Sequence, residues 1–275
     1  MRIINGKLIA EGLLSSLRQD IRKSKNRPTL AVVLIGADKA SRLYVKLKKK
    51  AAERVGVKFS LFQLKASVKQ GEALRLIKNL NCRQEINGII VQLPLPEKLG
   101  ADKIIGSIDP SKDADGFHPK NLRKSLRGKR GVLPVFPSAI MELVKNTKVA
   151  LEEKKAIVLC NSRTFGRAMS AALAREKMAV SFVLKENVFY NKRKIKEADL
   201  VVTALGEPGF IKGPMLKTGA VVIDGGIAKK DRKVLGDVDF ASAAPIVGYI
   251  SPVPGGVGPV TIACLLRNVH KLAGK

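Results

Sequence analysis

The chain has 275 residues, 45% of them hydrophobic, enough for one large or two ordinary domains with filled cores. Its net charge of +28 would draw polyanions, yet the excess is spread along the chain, and 4% aromatic content with no Trp supplies few base-stacking platforms. No stretch approaches the roughly 20 apolar residues of a membrane span, and three cysteines without CxxC spacing beside two histidines do not make a zinc set. These features lead us to expect a cytoplasmic globular protein with no structural metal, no membrane contact and no specific nucleic-acid partner.

The first periodic segment, residues 6–24, reads as a helix and is followed by the apolar run "LAVVLIG" at 30–36. A second helix is expected over 41–55 and a third over 71–80, before "INGIIVQLPLP" at 86–96. Charge, Gly and Pro break the pattern at 123–138, and a new helix is expected from Ser138 to Asn146. Further apolar runs follow at 156–160, 179–184, 200–206 and 220–226, with a helix at 166–176 between the first two. These runs are short, rich in β-branched residues and lack alternation, as strands buried on both faces of a parallel sheet do. Strand and helix in alternation imply an α/β fold. The break at 123–138 suggests two α/β lobes, and "YISPVPGGVGPV" at 249–260 precedes an apolar helix over 260–271 that could return to the first lobe.

The segment "RLYVKLKKKAAERVG" at 42–56 crowds basic residues around one tyrosine. On a helical wheel, Leu43, Tyr44, Val45, Leu47, Ala51, Ala52 and Val55 span an apolar arc from about 0° to 200°. Lys46, Lys49 and Lys50 fall outside it, whereas Lys48 lands at about 140°, one turn from Tyr44. A lysine on a buried face loses the water that stabilises its ammonium, so its pKa falls and it can exchange protons near neutrality. The alternative is that Lys48 snorkels along its aliphatic stem. Gln92 lies at the carboxyl end of an apolar strand, where α/β sheets place ligand groups, and its amide could hold the Lys48 amine. Asp115 stands in a turn-forming stretch with two other acids. Taken singly, Gln92 also reads as an edge polar residue and Asp115 as an Asx-type turn.

The segments "YVKLK" with Tyr44 and Lys48, "GIIVQLPLP", "KDADGFHP", "GEPGFIKG", "GDVDF" and "SPVPGGVGPVT" stand in an order that resembles the bifunctional methylenetetrahydrofolate dehydrogenase/cyclohydrolases. The likeness runs from "IINGK" near the N-terminus to the last helix. It implies a catalytic folate-binding domain over 1–134, joined by the returning helix 256–275, and a Rossmann-like dinucleotide-binding domain over 135–255, with a cleft between them. The implied activity is oxidation of 5,10-methylenetetrahydrofolate with NADP and hydrolysis of the methenyl product to 10-formyltetrahydrofolate, in one-carbon metabolism and purine biosynthesis. The implied assembly is a homodimer. The resemblance makes Lys48 the general acid/base, with Tyr44 stacking near the folate, Gln92 orienting the lysine and Asp115 binding the pterin. Leu93, Pro254, Gly255 and Gly256 complete the implied folate site.

For the cofactor the resemblance points to Cys160, Asn161, Ser162, Arg163, Gly166, Lys185, Glu186, Ala204, Gly206, Gly226 and Ile227. The turn "LCNSRTFGRAM" departs from the family pattern: Cys160 stands where a Gly is usual, and Gly166 is the glycine left to let backbone approach a pyrophosphate. Glu186 follows Gly166 by about 20 residues, the spacing at which an acid accepts from the ribose of NAD, while Lys185 argues for NADP. Three outcomes stand: NADP held by Lys185 and Arg163, NAD selected by Glu186, or a weakened dehydrogenase that is mainly a cyclohydrolase. "PVFPSAI" at 134–140 is also more apolar than the family segment. From another class altogether, the charge motivates a basic nucleic-acid-binding protein on the same fold.

Overall fold

The computed structural model describes residues 1–129, 131–230 and 233–274. In chain order the strands are β1 (Arg2–Ile3), β2 (Thr29–Ile35), β3 (Lys58–Leu64), β4 (Gly88–Val91), β5 (Lys155–Cys160), β6 (Ala179–Leu184), β7 (Leu200–Ala204), β8 (Val221–Asp224), β9 (Ala228–Lys230), β10 (Lys233–Leu235) and β11 (Tyr249–Ile250). The α-helices are α1 (Gly6–Lys23), α2 (Lys39–Val55), α3 (Gln70–Cys82), α4 (Ala101–Ile105), α5 (Pro119–Leu126), α6 (Val135–Asn146), α7 (Arg163–Ala174), α8 (Lys192–Glu197), α9 (Phe240–Ala243) and α10 (Val257–Ala273). Among the described residues no helix is long and apolar enough to cross a membrane.

The chain forms two compact units, one of Gly12–Val135 with Ile262–Lys275 and the other of Met1–Glu11 with Phe136–Thr261. The N-terminal eleven residues thus group with the later part of the chain, not with 12–134, because β1 pairs in parallel with β11.

The unit of residues 12–135 carries a parallel sheet in the order β3-β2-β4. Every residue of β2 is buried, as its unbroken apolar run requires. Strand β3, "KFSLFQL", escapes that reading because Lys58, Ser60 and Gln63 interrupt its apolar residues and it lies at an edge, with none of its residues fully buried. Helix α3 packs Ala73, Ile77 and Leu80 on the sheet beside Ala31, Val33, Ile35, Ile89 and Val91. From the C-terminal segment, Asn268 Nδ2 donates to the carbonyls of Ala114 and Leu133, each at 2.9 Å, and Val269 packs over Gly88.

The other unit holds a six-stranded sheet in the order β1-β11-β8-β7-β5-β6, parallel throughout. Strand β6 is an edge and therefore less buried than its apolar sequence suggests. Helix α6 begins at Val135, three residues before the expected start, since Pro137 falls in the first turn where no intrahelical N–H is needed. Phe136 packs on Phe165, ring centroids 5.0 Å apart, and closes over Gly225, which explains the apolar character of this segment.

Candidate active site

In the order β3-β2-β4 the chain leaves β2 to one side and then to the other, so the carboxyl ends of β2 and β4 form a topological switch point, where α/β sheets receive ligands. Helix α2 follows β2 there. The Asp38 carboxylate caps it by accepting from Ser41 N at 2.7 Å, and Gly56 ends it at φ +93°, donating to Ala52 O. Its buried stripe is Ser41, Val45, Ala52 and Val55. Leu43 and Leu47, placed on the apolar arc from sequence, are 54% and 44% exposed, so the buried face is narrower than the arc. Lys48 stays within the narrower face, half-buried, while Lys46, Lys49 and Lys50 are exposed.

The Lys48 Nζ donates to Gln92 Oε1 at 2.8 Å. Gln92 is the first residue past β4, and its backbone N–H donates to Val33 O at 2.9 Å. Its Nε2 donates to Leu93 O at 2.6 Å, which fixes the amide so that its oxygen faces the lysine. Burial lowers the Lys48 pKa from the ordinary lysine value, and the nearby Asp115 charge pulls in the opposite direction. Burial pushes Asp115 up to about 6, with Lys48 lowering and Asp113 raising it. Tyr44, one turn before Lys48, has its phenol raised by burial and is neutral at physiological pH.

The three acids of residues 109–115 separate into distinct roles. Asp109 Oδ1 accepts from Ser111 N at 2.7 Å and Ser111 Oγ at 2.6 Å. Asp113, 1% exposed, accepts from Gly116 N, His118 N and Asn121 Nδ2 at 2.9–3.0 Å, so the turn-forming carboxylate is Asp113 and not Asp115. Residues 112–114 run beside β4, Ile89 N donating to Lys112 O at 2.7 Å, and this sets Asp115 at the end that bears Gln92. Gly116, at φ +75°, leaves no room for a Cβ against Leu133 O. Tyr44, Lys48, Gln92, Leu93 and Asp115 thus belong to one unit. Pro254, Gly255 and Gly256 lie in the other, in a turn where Gly255 has φ +106° and Gly6 packs directly on Gly256 O.

In the six-stranded sheet β6 and β7 flank β5 on opposite sides, so a second switch point lies at the carboxyl end of β5. Cys160 ends that strand, fully buried, its Sγ 3.4 Å from Ser162 O. Burial raises its thiol pKa, which makes it a packing group and not a nucleophile. Asn161 N and Nδ2 donate to Ala204 O and Leu205 O at 3.2 Å, tying this turn to the end of β7 beside Gly206. Ser162 caps α7 by accepting from Phe165 N at 3.3 Å. The first turn of α7 contains Arg163 and no acid, so its amide groups and dipole suit an anion such as a dinucleotide phosphate.

Gly166 also has a packing role that the sequence does not reveal. A Cβ there would lie 2.6 Å from Phe182 Cδ2 and 3.1 Å from Cys160 Sγ, so the glycine is required for packing α7 on the sheet. Lys185 pairs with Glu207, a residue the sequence reading passed over. Glu186 is exposed, and its charge reaches Cys160. Gly226 N donates to Asp224 Oδ1 at 3.0 Å and Ile227 is 46% exposed. Two further buried acids organise these loops. Asp224 accepts from Thr203 Oγ1, Gly226 N, Asp237 N and Val238 N, and Asp237 accepts from Leu205 N and Glu207 N. Burial raises Asp224 to about 6.

Residues 4–115 match the family model of the tetrahydrofolate dehydrogenase/cyclohydrolase catalytic domain, and residues 134–275 match that of the NAD(P)-binding domain of the same family. The chain is 42% identical over 275 residues to the bifunctional protein FolD of Bacillus pumilus, covering 98% of this chain and 97% of that protein. Among solved structures it is similar to the bifunctional FolD dehydrogenase/cyclohydrolase of Campylobacter jejuni, with TM-score 0.94, 38% identity and coverage of 100% and 99%. It is also similar to the Trypanosoma brucei methylenetetrahydrofolate dehydrogenase-cyclohydrolase complexed with NADP and inhibitor, with TM-score 0.92, 33% identity and coverage of 98% and 96%.

Proposed function

Because the chain belongs to the tetrahydrofolate dehydrogenase/cyclohydrolase family, we propose that Lys48 is the proton-transfer group for its folate chemistry, with Gln92, Asp115 and Tyr44 forming the substrate site around it. The enzyme oxidises 5,10-methylenetetrahydrofolate and hydrolyses the methenyl product to 10-formyltetrahydrofolate. The observation that carries the residue assignment is the 2.8 Å contact from the buried Lys48 amine to the fixed amide oxygen of Gln92.

The physical reason for a desolvated lysine lies in the charge of the methenyl compound. Its cation is delocalised over two nitrogens, so an ammonium fixed beside it would repel it, whereas a neutral amine does not. Burial lowers the Lys48 pKa and so favours the neutral amine, against the opposing pull of the Asp115 charge. A neutral Lys48 gives one N–H to Gln92 and keeps a lone pair, with which it takes the proton from the water attacking the methenyl carbon. It then returns a proton to the departing ring nitrogen. Asp115, ionised above about pH 6, offers two acceptors to a pterin amino group and ring N–H. The half-buried Tyr44 ring, one helical turn away, gives the folate an apolar face.

The dinucleotide, NADP, accepts the hydride when bound. The N-terminus of α7, Ser162 and Arg163 would hold its phosphates, and the acid-free first turn fits that charge. Asn161, Ala204 and Gly206 border the same crevice. The reading carries with it a homodimer in the cytoplasm, testable by light scattering and cell fractionation, and three free cysteines are consistent with a reducing compartment.

The test is Lys48→Met. Hydrolysis of the methenyl compound, followed by the loss of its absorbance, should disappear while circular dichroism stays unchanged. A folded variant that hydrolyses at the original rate would refute the assignment.

A further inference from the structure

The ion pair between Lys185 and Glu207 has an unusual position. Lys185 is the first residue past β6 and Glu207 the third past β7, and these strands flank β5 on opposite sides. Neighbouring strands are about 4.8 Å apart, so the pair bridges roughly 10 Å across the carboxyl end of β5. Beneath that bridge run Cys160, Asn161 and Ser162, the turn that opens α7.

Both ends of the bridge are held. Buried Asp237 accepts from Leu205 N at 2.6 Å and from Glu207 N at 2.8 Å, fixing the loop after β7. Lys185 begins a 3-10 helix (Lys185–Asn191) pinned by the fully buried Val188. The two side chains themselves are 42% and 44% exposed. An ion pair so exposed adds little to stability and opens at small cost. What it does change is the charge offered to a ligand: Lys185 already faces the counter-charge of Glu207, while Glu186 beside it is exposed and makes no ion pair among the described residues.

We propose that Glu207 is a positioning residue that sets dinucleotide specificity: by holding Lys185 across the crevice, it withholds the ammonium from the extra phosphate of a 2′-phosphorylated dinucleotide. The inference rests on the reading of this crevice as the cofactor site. A phosphate must take Lys185 from Glu207, whereas a ribose hydroxyl need not, since it can donate to Glu186 instead. Glu207 therefore weakens NADP binding selectively and leaves NAD binding nearly untouched.

The experiment measures Kd for NADP and NAD by calorimetry on the full-length protein, Glu207→Gln, Lys185→Met and the double variant. In Glu207→Gln, NADP should bind about five-fold tighter, as for loss of a competing pair of about 1 kcal/mol. NAD affinity should change by less than about two-fold, and the Glu207→Gln effect should vanish when Lys185 is already Met. Equal tightening of both dinucleotides, no change in either, or an effect that persists without Lys185 would overturn the proposal. A folded wild-type protein that binds neither dinucleotide would instead overturn the cofactor reading, and the proposal with it.

Discussion

Gly166→Ala separates two explanations of the same glycine. The added Cβ would meet Phe182 at 2.6 and 2.9 Å and Cys160 Sγ at 3.1 Å. The Phe182 ring must retreat by close to an ångström to reach ordinary contact, and overpacking of this kind costs about 1–3 kcal/mol. Against that, alanine in a helix is favoured over glycine by about 1 kcal/mol. The balance is a loss of about 1 kcal/mol, which lowers the midpoint of thermal unfolding by about 2–4 °C in a unit of this size. Because the close atoms, Phe182 Cδ2 and Cγ, lie at the base of the ring, Gly166→Ala should cost little when introduced into Phe182→Ala, which lacks both. Circular dichroism gives the midpoints, and calorimetry with NADP and NAD gives the affinities. A variant as stable as the wild type, with dinucleotide binding weakened ten-fold or more, would refute the packing argument and restore the glycine to a phosphate-approach role.

Hydrolysis should fall as the pH drops through about 6, because Asp115 then loses the carboxylate that accepts from the pterin; Asp115→Asn should raise KM, and an unchanged KM would remove Asp115 from substrate binding. Asp224, raised from 3.8 to about 6, binds protons more tightly in the folded than in the unfolded chain. Its contribution is therefore fully present below about pH 4 and lost as pH rises toward 6, so Asp224→Asn should gain stability relative to wild type across that window, as read from urea midpoints. The opposite slope would contradict the burial argument. Asp237→Ala leaves the N–H groups of Leu205 and Glu207 without their acceptor, a loss of about 2–4 kcal/mol, and a change below about 0.5 kcal/mol would show that the loop does not depend on it.

Much of this architecture is legible in the residues. Unbroken apolar runs identify β2, β5 and β7 because central parallel strands are covered on both faces. The same rule misses β3, whose edge position lets polar residues interrupt the apolar run, and the two-residue strand β1, whose partner Tyr249 is distant in sequence. Lys48 is identifiable because a helix fixes the angle between neighbours, so one lysine among several can be assigned a face. The width of the buried stripe is not identifiable, since it depends on what packs there, and Leu43 and Leu47 were misplaced for that reason. Asp113 and Asp115 differ only in which backbone donors surround them, information that a turn sequence does not hold. The Lys185–Glu207 pair is equally hidden, because it joins two loops through the strand order and not through any sequence spacing.

The proton chemistry is assigned to one amine, Lys48, whose charged form burial disfavours. Nuclear magnetic resonance of lysine labelled at Cε and Nζ, with the Lys48 signal assigned by its absence in Lys48→Met, follows that group directly through a pH titration. The account predicts a midpoint displaced below the ordinary lysine value of 10.5, moving further down in Asp115→Asn as the opposing charge is lost. A Lys48 signal that titrates at 10.5 in both proteins would contradict it.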